Sequence, residues 1–408
     1  MGKQSRRYLV RKASLAASVS LLLMSGFAAP ESLAQQPARS KAAELLSTTG
    51  GTERLDAALK ELARRDMFSG VVLLAKGDKT VFERAYGLAS REYDVPARTD
   101  TRFNLASANK MFTAVAIAQL VEQGKVRFDA PISTYLGPDW VAPEIGQKVT
   151  VAHLLTHTSG LPDYFNETWP KVQRANYKTL EEFRSLVPAG KLDFEPGTQW
   201  RYCNTGFLFL GAIVEKVSGE KYEDYLARAI FKPAGMTRTA IFDLEEVNKD
   251  YAQGYGKRPL KPVPQAQGGS RADWPALIKR AATGAEAVER TGFKITNNIY
   301  RHVARGGPAG GMFSTAGDMA KFLDAFTSGK LVGPDMVRTM TTPKPLSPVY
   351  GYGFETLDNG VGHTGGFLGI ATVSIAYPDG YRMVVLSNID GGSAVAVTKL
   401  FELARGAK

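Results

Sequence analysis

Two β-hairpin patterns near opposite ends of the chain limit its fold more than any other feature. Residues 71–86 hold two short apolar stretches around a Gly-Asp turn, and residues 370–386 repeat this pattern around a Pro-Asp-Gly turn. Over residues 101–242, and again over 315–328, the apolar residues follow helical spacing instead. We therefore predict an α+β fold, in which an antiparallel sheet built from both chain ends is flanked by helices and an all-helical subdomain, residues 101–242, is inserted between them.

The first 34 residues are typical of an export signal. Basic residues precede an apolar stretch at residues 13–29, and residues 32–34 offer small side chains for cleavage. The adjacent Arg6 and Arg7 favour a twin-arginine signal, with general secretory export as the alternative. No later segment approaches the roughly 20 unbroken apolar residues of a membrane span. We expect a bacterial protein that is periplasmic or secreted, with residues 35–408 as its mature part.

Charge and cysteine content narrow the classes of partner and chemistry. The net charge is +11, but basic residues are interspersed with acidic ones and form no stripe with aromatic residues, so we expect no nucleic-acid partner. Cys203 is the only cysteine, so no internal disulfide can form. A catalytic cysteine needs a positioned histidine or an electropositive site, and we expect Cys203 to be a small buried residue instead.

Residues 256–307 differ in composition from their surroundings. Three prolines and two adjacent glycines precede a more helical pattern at residues 275–288, which itself begins with a proline. A long irregular insertion in a compact domain is usually a functional lid or a flexible loop, and an ordinary surface excursion is the alternative. We predict an irregular insertion here.

A serine and a lysine stand three residues apart at the head of a long apolar run. If this segment is helical, Ser107 and Lys110 emerge from one face, within reach of each other. A lysine takes the proton of a serine hydroxyl only when neutral, so its pKa of about 10.4 must fall by roughly three units through burial or a neighbouring cation. The apolar run at residues 111–121 predicts a buried helix. Taken alone, the spacing also fits a serine N-cap followed by a solvated lysine.

Tyr202 and Asn204 form a second polar motif. A tyrosine beside a lysine cation can lose its proton below its usual pKa of about 10 and carry protons. An asparagine two residues on can bridge the lysine and a substrate amide. The alternative is that both are turn residues.

A third motif, His363-Thr364-Gly365-Gly366, precedes an apolar strand pattern. Glycines at this point would let a substrate backbone approach an edge strand. The hydroxyl of Thr364 could bind a carboxylate.

The spacing of two histidines is compatible with a metal site, but we do not expect one. His153 and His157 lie four residues apart, but Leu154 stands where the zinc-protease motif has glutamate. We expect structural hydrogen bonds from both imidazoles.

In this order, the three motifs resemble those of the serine β-lactamase and penicillin-binding-protein superfamily, in the branch with class C β-lactamases, DD-peptidases and esterases. The resemblance includes residues 157–161 and 310–315 and spans about residues 70–401. It implies an antiparallel sheet flanked by helices, an all-helical subdomain and an active site between the two. Residues 35–408 would then form one β-lactamase-like serine hydrolase domain.

The resemblance also implies a role for each motif residue. Ser107 resembles the acylated nucleophile, Lys110 its activating partner and Tyr202 the shared proton carrier. Asn204 would bind the substrate amide. The oxyanion hole would use the backbone N–H groups of Ser107 and Gly366, with Thr364 and Gly365 beside them. Neither a metal nor an organic cofactor is implied.

His363 departs from the classical β-lactamase pattern, which has lysine there. A histidine with a pKa of about 6.5 is only around a quarter protonated at pH 7, so it attracts a substrate carboxylate less strongly. Some DD-peptidases, D-amino-acid peptidases and esterases of the superfamily share this histidine.

The motifs and the resemblance together leave three candidate functions, two enzymatic and one without catalysis. The first is hydrolysis of a peptide, of D-alanyl-D-alanine or D-amino-acid type, or of an ester. The second is class C type β-lactam hydrolysis, and the third is a catalytically silent penicillin-binding or sensor module. The expected partners are small molecules, peptides or esters, with cell-wall peptide and β-lactams among them.

Overall fold

The structure is a computed structural model that describes residues 39–165, 169, 173–187, 190–263, 274–301 and 303–406. The predicted export signal at residues 1–34 lies outside the described residues. The α-helices are α1 (Lys41–Leu46), α2 (Gly51–Arg64), α3 (Lys110–Glu122), α4 (Pro143–Lys148), α5 (Val151–Leu155), α6 (Leu180–Arg184), α7 (Asn204–Ser218), α8 (Tyr222–Leu226), α9 (Lys232–Ala234), α10 (Trp274–Thr291), α11 (Ala316–Thr327), α12 (Pro334–Thr341) and α13 (Gly392–Ala404). The strands are β1 (Gly70–Lys76), β2 (Lys79–Tyr86), β3 (Leu88–Ser90), β4 (Val95–Pro96), β5 (Phe103–Asn104), β6 (Tyr255–Pro259), β7 (Phe293–Asn297), β8 (Phe313–Ser314), β9 (Glu355–Leu357), β10 (Gly360–Phe367), β11 (Ile370–Ala376) and β12 (Tyr381–Ser387).

A six-stranded antiparallel sheet joins the two ends of the chain, as the hairpin patterns predicted. Its order is β2-β1-β12-β11-β10-β9, so the first hairpin pairs with the last one through β1 and β12. Gly70 lies opposite Ser387, and Lys76 lies opposite Tyr381. Neighbouring strands run in opposite directions throughout, and the chain passes from β2 at one edge of the sheet to β9 at the other through the intervening, largely helical residues.

The two faces of the sheet pack against different helices because successive side chains point to opposite sides. On one face, Val71 and Leu386 belong to a buried cluster with residues of α3, α7 and α11. On the other face, Val72 and Val385 belong to a cluster with residues of α1, α2, α10 and α13. We call these the inner and outer faces.

Helix α3 is buried along most of its length, as its apolar run predicted. It directly follows a 3-10 turn, Ala106–Asn109, which packs against β10 and β11. Gly365 allows this approach, because a Cβ atom there would lie 2.2 Å from the carbonyl oxygen of Leu105. Ser107 is thus held between the helical part of the chain and the sheet.

Residues 256–307 are more regular than predicted. Strands β6 and β7 pair with each other, Tyr255 opposite Asn297, and the helix expected at residues 275–288 extends over α10. Ile278 and Ala282 of that helix join the apolar cluster on the outer face. The prolines obscured this pattern in the sequence, because Pro259 stands at the end of a strand, where proline is tolerated.

Within the described parts of the chain, no helix combines the length and the apolar content that crossing a membrane requires.

Candidate active site

A strained turn presents Ser107. Ala106, the residue before it, has φ of +44°, a left-handed conformation that is uncommon for residues other than glycine. Asn104 supports this turn: its Oδ1 accepts a hydrogen bond from the N–H of Ala106 at 2.8 Å, and its Nδ2 donates to the carbonyl oxygen of Gly311 at 3.3 Å. Strained residues of this kind cluster at functional sites.

Lys110 is fully buried, and its Nζ atom meets three oxygens. The distances are 3.2 Å to Ser107 Oγ, 2.8 Å to Asn204 Oδ1 and 2.5 Å to the carbonyl oxygen of Ala309. The contact with Ser107 is the one that the three-residue spacing predicted. The contacts with Asn204 and Ala309 come from segments about one hundred and two hundred residues away.

Aromatic rings cover the remaining side of the Lys110 Nζ atom. It lies 4.8 Å from the ring centroid of Tyr202 and 5.3 Å from that of Phe207. Ring faces attract a cation at these distances. The structure therefore brings Ser107, Lys110, Tyr202 and Asn204 together, as the motifs predicted.

His157 holds the segment that carries Tyr202. Its carbonyl oxygen accepts from the N–H of Arg201 at 2.9 Å, and its Nδ1 accepts from the N–H of Cys203 at 3.1 Å. The imidazole also lies against the Tyr202 ring, with centroids 4.2 Å apart. His157 has φ of +60°, a second left-handed residue beside the site. The expectation of structural hydrogen bonds is confirmed for His157 and also for His153, whose Nδ1 accepts from the N–H of Thr150 at 3.2 Å.

Asp163 orients Asn204 at the start of α7. Its Oδ2 accepts from the backbone N–H of Asn204 at 3.1 Å and from the side-chain Nδ2 at 3.0 Å. With the amide nitrogen directed to Asp163, the amide oxygen is directed to Lys110.

Cys203, which precedes Asn204 in the chain, is buried. Burial raises the pKa of its thiol to about 12, so this sulfur remains a thiol at neutral pH.

One cavity of about 680 Å³ connects these groups. Ser107, Tyr202 and Asn204 line it, and Thr364, Gly365 and Gly366 line its sheet side. Such a volume is typical of pockets for small organic molecules. Its remaining described lining is largely apolar and aromatic: Tyr164, Phe165, Trp169, Phe183, Leu208 and Phe367 on one side, with residues of α10, β11 and α13 on another.

Comparisons with known proteins decide the family of this chain. The family model described as Beta-lactamase matches residues 55–406. The chain belongs to the Beta-lactamase family.

Individual relatives of this Beta-lactamase family chain carry several names. Penicillin-binding protein 4* of Bacillus subtilis (strain 168) is 28% identical over 358 residues, which cover 82% of this chain and 71% of the relative. Esterase EstB of Burkholderia gladioli is 34% identical over 197 residues, covering 45% of this chain and 50% of the esterase. A crystal structure of a penicillin-binding protein from Bacillus halodurans has a TM-score of 0.68 and 30% identity, covering 84% of this chain and 97% of that chain.

A more distant neighbour shows the shared fold alone. The D-amino acid amidase from Ochrobactrum anthropi SV3, complexed with D-phenylalanine, has a TM-score of 0.65 at 22% identity and covers 87% of this chain and 99% of that chain. The antiparallel sheet, the flanking helices and the inserted helical part are therefore those of the Beta-lactamase family fold, and the predicted fold class is confirmed.

The placement of His363 corrects one expectation for this family member. Its side chain is fully buried, and the described lining of the cavity does not include it. The Nε2 atom lies 2.9 Å from the Tyr350 hydroxyl, and Nδ1 contacts the carbonyl oxygen of Thr364. The alternation of β10 directs His363 and Gly365 toward the inner face, where the Ser107 turn packs. A substrate carboxylate in the cavity would therefore not meet the imidazole.

Thr364 lines the cavity, but a protein carboxylate already occupies its hydrogen-bonding groups. Its N–H and its hydroxyl donate to Oε2 of Glu355 at 2.8 and 2.9 Å. Glu355 is itself buried. The hydroxyl that we expected to bind a substrate carboxylate thus has a carboxylate beside it.

Sequence reasoning missed the residues that arrange the loop opposite Ser107. Asn109 donates from Nδ2 to the carbonyl oxygen of Gly307 at 3.1 Å, and its Oδ1 accepts from the N–H of Met312 at 3.1 Å. This places the carbonyl oxygen of Ala309 against Lys110. The only signal for these contacts was the glycine-rich stretch at residues 306–311, whose partner the sequence does not indicate.

Proposed function

We propose that this chain is a serine hydrolase that cleaves an ester or amide bond through an acyl-enzyme on Ser107. The observation that carries the proposal is the buried Nζ atom of Lys110, 3.2 Å from Ser107 Oγ and bonded to two further oxygens. An alcohol and an amine arranged in this way form the nucleophile and base of a covalent hydrolase.

The hydrogen-bonding capacity of Lys110 fits a proton transfer. A neutral amine has two hydrogens and one lone pair, so it would donate to Asn204 and Ala309 and accept the proton of the Ser107 hydroxyl. The resulting ammonium has three hydrogens, which the same three oxygens accept. Lys110 can therefore change its charge while every heavy atom stays in place, and this favours its role as the base.

The reaction then proceeds in two stages. Ser107 Oγ attacks the substrate carbonyl carbon as its proton passes to Lys110, and the carbonyl oxygen becomes an oxyanion. When this intermediate collapses, the bond between the carbonyl carbon and the leaving group breaks, and the proton held by Lys110 passes through Tyr202 to the leaving group. Lys110 is neutral again, and the acyl group stays on Ser107. Water then attacks the acyl carbon with the same groups acting in reverse, and the acid is released.

Backbone N–H groups of Ser107 and Gly366 are our candidates for the oxyanion hole. The N–H of Thr364 donates to Glu355 and therefore points away from β11. On that side of β10, β9 pairs only with Gly360–Gly362, so the edge beyond Gly362 is not paired with β9. Alternation along a strand directs the N–H of Gly366 to that same side. A Cβ atom at Gly366 would meet nothing within 4 Å, which leaves room for a substrate.

The relatives support hydrolysis without deciding the substrate. The names penicillin-binding protein and esterase favour acyl transfer to a serine. The presence of Glu355 beside Thr364 favours an ester or an uncharged amide over a β-lactam, which bears a carboxylate. A silent binding module is disfavoured because the complete set Ser107, Lys110, Tyr202 and Asn204 is assembled.

Intact-mass spectrometry with a fluorophosphonate tests the nucleophile. We expect one adduct per chain in the wild type and none in Ser107→Ala, whereas Ser185→Ala, which changes an exposed serine, should react as the wild type. Turnover of a nitrophenyl ester, a D-alanyl-D-alanine peptide and a chromogenic cephalosporin then ranks ester, peptide and β-lactam hydrolysis, and a silent module would turn over none of them. An adduct that persists in Ser107→Ala would overturn the proposal.

We also propose that residues 1–34 direct export of the protein. The basic and apolar pattern of those residues supports this. Expression of the full chain in a Gram-negative host should yield a periplasmic product whose mass lacks the signal. Changing Arg6 and Arg7 together to lysine should block export by a twin-arginine route and leave general secretion intact.

A further inference from the structure

The cavity continues from Ser107 past the open edge of β10. We define the outer arm as the part of the cavity that is lined by Leu277, Ile278, Ala281, Ile370, Val373 and Ala394. Ile278, Val373 and Ala394 belong to the apolar cluster on the outer face of the sheet, whereas Ala108, next to Ser107, belongs to the inner cluster. One cavity therefore joins the serine to apolar surface on the other side of the sheet.

Gly366 keeps this passage open. Gly365 and Gly366 both line the cavity at the edge of β10, but the missing side chain of Gly365 makes room for the Ser107 turn, and that of Gly366 leaves the passage clear. At Gly366 even an added Cβ atom would point into open space. The outer arm is thus reachable by a group attached to an acyl carbon at Ser107.

The charges around the cavity disfavour an anionic substrate. Glu355 occupies the hydroxyl and N–H of Thr364. Arg305 lines the cavity but pairs with Glu223 at 2.8 Å. Among the described lining residues, a carboxylate would lose water without gaining a cation that lacks a carboxylate partner of its own, which is unfavourable.

We propose that the substrate is an uncharged ester or amide whose acyl group is an extended aliphatic chain lying in the outer arm. This rests on the proposed function, because the chain must be attached to the carbonyl carbon that Ser107 attacks. Each added methylene that enters the arm should raise kcat/KM about fourfold, until the arm is full.

Nitrophenyl esters of acetate, butyrate, hexanoate and octanoate test the arm. For the wild type we expect kcat/KM to rise at least tenfold from acetate to hexanoate. The glutarate monoester, which ends in a carboxylate, should be at least tenfold poorer than hexanoate. A kcat/KM that does not depend on chain length, or that is as high for glutarate as for hexanoate, would overturn the proposal.

A matched pair of variants locates the effect on α10. Ala281 and Thr283 are both exposed on this helix, but Ala281 belongs to the described lining of the arm and Thr283 does not. Ala281→Trp should lower the octanoate-to-acetate ratio of kcat/KM at least tenfold, and Thr283→Trp should keep the wild-type ratio. An unchanged ratio in Ala281→Trp contradicts the assignment of the arm.

Binding to the Ser107→Ala background separates the arm from the chemistry. Methyl octanoate should bind this variant, measured by its thermal shift, and adding Ala281→Trp should weaken binding at least tenfold. Absence of binding overturns the arm even if esters are cleaved. Binding that Ala281→Trp weakens, together with no Ser107-dependent cleavage of any ester, supports the arm and overturns the proposed function.

Discussion

Two buried lysines occupy different surroundings in this protein. The Nζ atom of Lys110 meets three oxygens, among them the hydroxyl of Ser107, which lines the cavity. The Nζ atom of Lys257, in β6, lies 3.3 Å from the sulfur of Met67 and 4.9 Å from the ring centroid of Phe293. Burial lowers the pKa of Lys257 to about 8, although Asp66, Glu289 and Asp390 oppose that shift.

The difference between them shows that burial alone does not make a lysine a base for catalysis. Lys257 has a lowered pKa, but the neighbours given above, a thioether sulfur and an aromatic ring, offer it no alcohol to activate. Lys110 has an alcohol and two acceptors that suit either protonation state, and that alcohol, Ser107, lines the cavity. Convergence of these groups, rather than desolvation, distinguishes the candidate active site.

The largest expected effect comes from exchanging each lysine for methionine. Lys110→Met should slow acylation of Ser107 about 10⁴-fold, because the proton of the attacking hydroxyl loses its acceptor. Lys257→Met should acylate at the wild-type rate and is the matched control. The measurement is the rate of adduct formation with a nitrophenyl ester, after circular dichroism has shown both variants to be folded. Equal rates for the two variants would abolish the distinction between the lysines.

The next effect concerns the approach of β10 to the Ser107 turn. Gly365→Ala should lower kcat/KM about 10²-fold to 10³-fold, because its Cβ atom would lie 2.2 Å from the carbonyl oxygen of Leu105 and force apart the two elements that supply the oxyanion hole. Gly366→Ala should have a smaller effect, since its Cβ atom meets nothing within 4 Å. Steady-state kinetics on acetate esters decide this, and the reverse order of the two losses would contradict it.

A smaller effect should follow from loosening an acceptor of Lys110. Asp163→Ala removes the carboxylate that orients Asn204 and should lower kcat about tenfold to a hundredfold, corresponding to the loss of a hydrogen bond to a charged group. Asp193→Ala is the control, because that carboxylate pairs with Arg201 and does not line the cavity. The pH dependence of kcat should also shift in Asp163→Ala. A purely structural role for Asp163 would lower thermal stability and leave the pH profile in place.

The smallest effect is on stability, and its sign follows from the pKa of Lys257. Below pH 8 the folded protein holds a buried charge, so Lys257→Met should be more stable by about 1–3 kcal/mol at pH 7. Between about pH 8 and 10.5 the unfolded chain retains a proton that the folded protein has lost, so the stability of the wild type rises with pH relative to the variant. Urea unfolding at pH 7 and pH 10 should therefore give a smaller difference at pH 10.

Lys279→Met is the control for that measurement, because Lys279 is exposed on α10. Its free energy of unfolding should remain within about 0.5 kcal/mol of the wild type. A stability difference for Lys257→Met that does not change between pH 7 and pH 10 would contradict the lowered pKa.

Short-range patterns allowed much of this molecule to be predicted. The contact between Ser107 and Lys110 follows from a three-residue spacing within one turn, and the two hairpins follow from alternation on either side of a turn. These features depend on neighbours in the chain, so the sequence alone indicates them. The prolines of residues 256–307 made this segment look irregular, although it contains a strand, a helix and a second strand. Composition does not show whether a proline stands at a strand edge without a partner, where it is tolerated.

The sequence by itself determined which chemical groups are present and which of them meet within one turn of the chain. Only the tertiary structure decided that the carbonyl oxygen of Ala309 and the carboxylate of Asp163 complete the surroundings of Lys110. It also decided that His363 is buried outside the described lining of the cavity and that Glu355 reaches Thr364. The physical reason is that such contacts depend on how the sheet and helices pack, and the face that β10 turns toward the cavity is set by its partners rather than by its own residues.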